Sequence, residues 1–209
     1  MELKCQIFRK IIEVIKIEEI YGYKDFGKVL LISNGIIETV ITLDVGPRII
    51  RFGFIDGQNI LQANRKAYDF LICSDNEYQE YFGKDKHWEL LGGHRIWTAP
   101  ESYPQTLYPD LDKVDYEIID NGAIFTPKAE TENGLQKQLI ITMADNSTDM
   151  KVGMRIINIS DEEKSFLKTA AMRHVVFNYK KIADYYAKAT PEMQRLMESS
   201  ALVIIDYDN

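Results

Sequence analysis

VDYEIIDNGAIFTPKAETENGLQKQLIITMADNSTDMKVGMRIIN, residues 114–158, decides the fold. Four runs rich in β-branched and aromatic residues, 114–120, 123–129, 136–144 and 149–158, read as strands. Between them lie Asn121-Gly122, Asn133-Gly134 and Asp145-Asn146-Ser147, residue types that reverse a chain in few steps. Strand, short turn and strand at this regular spacing predict an antiparallel all-β sandwich. The spacing does not say which sandwich.

The stretch before it reads the same way. Residues 29–33 form a short apolar run, Asn34-Gly35 is a tight-turn pair, and residues 36–43 alternate as a half-buried strand does. Residues 44–47 break the run, 48–55 resume it, Asp56-Gly57 turns, and 59–61 close a meander as a further strand. Residues 2–20 allow two readings. Ile11, Ile12, Ile15 and Ile20 approach helical spacing, while Val14, Ile15 and Ile17 favour a strand. Residues 64–86 are polar and tyrosine-rich, and predict a long loop with a helical turn or two.

Composition changes near residue 172. Residues 178–188 put Ile182, Tyr185 and Tyr186 on one helical stripe. Thr190-Pro191-Glu192 is a helix start, and Met193, Leu196 and Met197 line the face that follows. Residues 202–205 are again strand-like. The expected organisation is a β-sandwich over 1–171 and a helix-helix-strand tail over 172–209.

The chain has 209 residues and a net charge of −7. With no concentrated basic face, nucleic acid is excluded as a partner. No window approaches a membrane span, and the N-terminus lacks a signal-peptide pattern, so the expected location is cytoplasmic. Two cysteines, Cys5 and Cys73, then read as free thiols. No phosphate-cradling glycine loop, no Gly-x-Ser-x-Gly elbow and no cysteine pair occurs, so no cofactor is expected.

Chemistry concentrates in HWELLGGHRIWTAPESYPQTLYP, residues 87–109, which hold two of three histidines, both tryptophans and a Gly-Gly pair. Aromatic faces with a few polar groups suit a small-molecule surface. An aromatic turn plugging the end of a sandwich has the same composition. Glu89 and His94, five apart across Gly92-Gly93, are the candidate proton-transfer pair. His87 and His94 with Asp85, Glu89 and Glu101 offer oxygen-rich metal ligands, but without the tight ligand spacing of a metal motif, so no metal is expected.

GPRIIRFGFIDGQNIL (46–61), GGHRIW (92–97) and APESYP (99–104), in that order, resemble the galactose mutarotase-like, or aldose 1-epimerase-like, superfamily. The nearest likeness is to its bacterial members without an assigned activity, which carry Gly-Gly-x-Arg-x-Trp before Ala-Pro-Glu. The resemblance spans about residues 17–166. It implies a large antiparallel β supersandwich with a sugar cleft, and an aldose 1-epimerase-like isomerase if catalysis is retained. By position it makes Arg48, His94, Arg95, Trp97 and Glu101 candidate sugar-binding residues. The family's acid histidine and base glutamate lie in its second half, where this chain departs from the pattern. His174 is the single histidine beyond His94. The resemblance therefore implies an all-β antiparallel, truncated supersandwich with a small α-helical C-terminal appendage and an incomplete catalytic site. Its expected partner is a sugar or sugar-like molecule. A half sandwich also leaves strand edges that favour a homodimer. The alternative is a non-catalytic structural or protein-interaction module.

Overall fold

A computed structural model describes residues 15–63, 65, 72–98, 101–162 and 171–175. The first half is a meander of β1 (Lys16–Ile20), β2 (Val29–Ser33), β3 (Ile37–Thr42) and β4 (Ile49–Phe54). The long loop carries β5 (Ile72–Cys73), α1 (Asn76–Phe82) and β6 (Trp88–Glu89), and leads into β7 (His94–Thr98). A second meander follows, with β8 (Asp115–Ile119), β9 (Gly122–Thr126), β10 (Leu135–Met143) and β11 (Met150–Asn158), and then β12 (Ala171–Val175). The strands make one sheet in the order β1-β2-β3-β4-β7-β12 and another in the order β11-β10-β9-β8, with β5-β6 as a separate ribbon. Every strand pairing is antiparallel. The protein is all-β, as the alternation predicts.

Residues 16–20 form a strand, because pairing with β2 gives their β-branched residues a sheet to lie on, and the part of the two-way reading before residue 15 lies outside the described residues. Residues 59–61 do not become the expected strand. The Asn59 side chain takes the strand's place, donating to the Ile50 carbonyl at 2.7 Å and accepting from the Phe52 amide at 3.1 Å. At the other end, β12 carries the sheet across residue 171, where the sequence reading ends the sandwich. It pairs with β7 from Ala171 opposite Thr98 to Val175 opposite His94. The helices expected over 178–188 and from 191, and the strand-like run 202–205, lie outside the described residues, as does Cys5.

Strand alternation sorts the side chains into layers. Leu30, Ile32, Ile37, Ile41 and Ile49 from the first sheet meet Ala123, Phe125, Leu139, Ile141 and Met143 from the second, and this is the main core. Val29, Val40 and Ile50, on the opposite face of the first sheet, bury against Phe26, Val45 and Leu91. Fully burying each such branched or aromatic side chain stabilises the fold by about 1.5–3 kcal/mol. A third cluster joins Tyr78 and Phe82 of α1 to Trp88 and Trp97, so α1 and the ribbon cover the end of β7.

Two polar devices fix the layers. Asn34, buried in the β2–β3 turn, accepts from the Ile36 and Ile37 amides and donates to the carbonyls of Ala144 and Ser147 in the β10–β11 turn. Glu19 on β1 accepts from Lys28 at 2.6 Å and from Tyr116 of β8 at 2.7 Å, which ties the two sheets at one edge. Among the described residues no helix is long and apolar enough to cross a membrane.

Candidate functional site

The Gly-Gly pair of the 87–109 stretch is a matter of backbone space. Gly92 has φ +74° and Gly93 φ +68°, and a Cβ would collide with the carbonyl oxygen of Gln62 at the first and of Ile49 at the second. Only glycine lets the chain pass this close. The turn sets His94 opposite Ile49 of β4 and starts β7 in register.

Alternation along β7 puts Arg95 and Trp97 on one face. Trp97 meets Trp88 edge to face, with centroids 6.5 Å apart. The Arg95 guanidinium lies 3.5 Å from the Trp97 ring centroid and 5.0 Å from that of Trp88. Cation–π contact of this kind compensates part of the cost of burial, and Arg95 is only 4% exposed. Burial pushes its pKa well down, and the neighbouring Arg48 pushes the same way; Asp110, Glu130 and Glu101 oppose them. Its Nε and Nη2 have no hydrogen-bond partner among the described residues.

Arg48, 1% exposed, follows the cis Gly46-Pro47 bond. Its backbone amide donates to Thr42 Oγ1 at 2.9 Å. Its Nη2 donates to Asp110, at 2.9 Å from Oδ1 and 2.8 Å from Oδ2. Burial lowers the Arg48 pKa, and Asp110 works against that. Arg48, a candidate sugar ligand by the resemblance, thus spends its guanidinium on Asp110.

Beside this pair a small cleft opens along the seam between the sheets. Arg95 and Ile96 of β7 line it with Gly46 and Pro47 of the β3–β4 turn, Lys137 of β10 with Pro127, Lys128 and Glu130 of the β9–β10 connection, and Tyr108, Asp110 and Asp112 from the loop before β8. Lys137 and Glu130, 7% and 5% exposed, form an ion pair of 2.6 Å. Lys128 reaches Asp112 at 3.5 Å near the surface. The Tyr108 hydroxyl donates to the Ala129 carbonyl at 3.2 Å, and burial raises its pKa, which keeps it protonated. The cleft thus offers carboxylates as acceptors, cations and a phenol as donors, and a tyrosine ring as an apolar wall.

The six sequence-derived candidates part company here. Arg95 lines the cleft, and Arg48 reaches it through Asp110; Glu89, His94, Trp97 and Glu101 are not in its lining. His94 is fully buried and Trp97 belongs to the aromatic cluster, whereas Glu101 is exposed. Glu89 is engaged elsewhere, accepting from Arg65 Nε and from His87 Nε2, each at 2.9 Å. Burial raises the Glu89 pKa, but Arg65 and His87 outweigh it and the net shift is downward, which suits a structural anion rather than a proton carrier near neutrality. No three His, Cys, Asp or Glu side chains among the described residues gather as a metal would require. His174 stands on β12 opposite Arg95. Tyr108, Asp110, Glu130 and Lys137 escape the sequence reading. Lys137 carried a signal: it shares the inward parity of β10 with Leu135, Leu139, Ile141 and Met143, where a lysine is out of place unless paired.

Comparison with protein-family models, with curated proteins and with solved structures finds no match.

Proposed function

We propose that this chain is a carbohydrate-binding β-sandwich of the mutarotase-like kind, with its ligand in the seam cleft. One observation carries the reading: a cleft walled by Arg95, Tyr108, Asp110, Glu130 and Lys137, most of them buried. Burying several charges costs stability unless they are paired or serve a ligand. Paired carboxylates and ammonium groups keep spare lone pairs and protons for hydroxyls, and a tyrosine ring suits the apolar face of a pyranose. Sugar ring opening would need one acid and one base near neutrality. Glu89 and His94 do not face this cleft, so the proposal is binding, with epimerase activity as a separate question. The test is NMR titration with aldoses, read at the amides of Arg95, Tyr108 and Glu130, alongside polarimetry of mutarotation. Absence of shifts at those amides with every aldose sinks the binding reading.

A second reading, an interaction module that self-associates, has its own observation. Strand β11 is nine residues long and has no strand on its outer side among the described residues, and Ile157 and Ile159 near its end are 42% and 47% exposed. Long apolar edges template pairing with a second copy. Sedimentation of wild type against Ile157→Lys decides it: a dimer that the variant splits supports the module, and a monomer at all concentrations removes it.

A further inference from the structure

The charged groups of the cleft pair off with one exception. Arg95, Lys128 and Lys137 line it with Asp110, Asp112 and Glu130, and Arg48 stands behind Asp110. Each carboxylate already holds one cation: Asp110 holds Arg48, Asp112 holds Lys128 and Glu130 holds Lys137. Arg95 is left, with no carboxylate at ion-pair distance among the described residues.

The part of Arg95 that lacks a partner has a definite shape. Nε and Nη2 are the two nitrogens along one side of the guanidinium, and both are without a hydrogen-bond acceptor among the described residues. That side meets a carboxylate with two parallel hydrogen bonds. The Trp97 ring at 3.5 Å fixes the guanidinium plane, so the fork is already oriented. Arg95 lines the cleft and both nitrogens are buried, so an acceptor admitted to them by a shift of the lining side chains would pair in a dry setting, where an ion pair counts for most.

We propose that the ligand is an acidic sugar, a polyhydroxy carboxylate held side-on by Arg95 while Asp110, Glu130 and Lys137 take its hydroxyls. The inference rests on the carbohydrate reading of the cleft and adds the ligand's charge. A carboxylate fits better than a phosphate ester because three protein carboxylates share the cleft. One negative charge suits the single guanidinium fork that has no acceptor, and a second would be repelled by those carboxylates.

The experiment is calorimetric titration of the full-length wild-type protein at neutral pH and low salt. The titrants are D-glucuronate, D-galacturonate, D-glucose, D-galactose, D-glucose 6-phosphate and acetate. A charge-assisted bidentate pair predicts that a uronate binds at least about tenfold more tightly than its parent aldose. Raised salt narrows that gap. In Arg95→Lys, which keeps the charge and loses the fork, the two classes converge to within about threefold. Circular dichroism checks that the variant is folded, and the wild-type comparison stands without it. If an aldose binds as tightly as its uronate, the charge inference is overturned and the carbohydrate reading survives. Tighter binding of the 6-phosphate overturns the choice of carboxylate. Acetate binding as tightly as a uronate overturns sugar recognition by the cleft. Failure of every sugar to bind overturns both readings.

Discussion

Replacing Asp110 by alanine leaves the buried Arg48 guanidinium without its carboxylate. Both Asp110 oxygens lie within 2.9 Å of Arg48 Nη2, and the Arg48 side chain is 2% exposed, so little water can replace them. Breaking a buried ion pair by removing one partner costs about 3–5 kcal/mol. Asp110 itself is 20% exposed, which places the expected loss near the lower end, at about 3 kcal/mol. For a chain of this size that lowers the Tm by about 6–12 °C. Removing the stranded charge as well, in Arg48→Met with Asp110→Ala, recovers most of the loss, because an apolar replacement of a buried pair is close to neutral. Urea unfolding followed by tryptophan fluorescence measures all the corners of the cycle, since Trp88 and Trp97 are buried together in the fold. The reasoning fails if Asp110→Ala costs less than about 1 kcal/mol, or if the double variant is no more stable than Asp110→Ala alone.

Acid should loosen the edge tie between the sheets. Hydrogen bonds from Lys28, Tyr21 and Tyr116 hold the Glu19 pKa down, from 4.5 to about 2. The unfolded chain binds the proton first, so this contribution is fully present above pH 4.5 and is lost as pH falls towards about 2. Glu19→Gln should therefore flatten the acid limb of a stability–pH curve in that window; an unchanged limb refutes the tie. Gly93→Ala forces a Cβ against the Ile49 carbonyl at a left-handed φ of +68°, and should cost at least about 1–3 kcal/mol in urea unfolding. Asp75 caps α1 by accepting from the Tyr78 amide at 2.9 Å and also accepts from the Tyr103 hydroxyl at 2.6 Å. Asp75→Ala should cost about 1 kcal/mol and speed hydrogen exchange at Tyr78 before the rest of the chain.

The strands were legible because their causes are local. Asn34-Gly35, Asn121-Gly122 and Asn133-Gly134 mark real reversals, with Asn121 at φ 61° and Gly35 and Gly134 at φ 87° and 64°. The four strands of the second sheet fall within a few residues of where alternation puts them. The cleft was legible in one residue, Arg95. Asp110 sits 62 residues from Arg48, and no local pattern announces a pairing at that separation. Glu89 and His94 look like neighbours across Gly92-Gly93, but Arg65 lies 24 residues upstream in sequence and claims the glutamate. Residues 59–61 read as closing the first meander, yet the Asn59 amide itself bonds to the Ile50 carbonyl and the Phe52 amide, where a strand partner would stand. Parity on β10 was the unused clue, since Lys137 stands where only apolar residues otherwise stand.

Asn34 also bears on the order of events in folding. Each meander pairs neighbouring strands, and such hairpins close in about 1–10 μs. The two bonds from the Asn34 amide span 110 and 113 residues. Contacts of that separation cost more loop entropy to close than neighbouring hairpins do, and low-separation contacts form faster. Asn34 therefore reports on the moment the sheets dock. Truncating it to alanine should leave the folding limb of a chevron nearly unmoved and raise the unfolding limb, the signature of a contact made after the barrier.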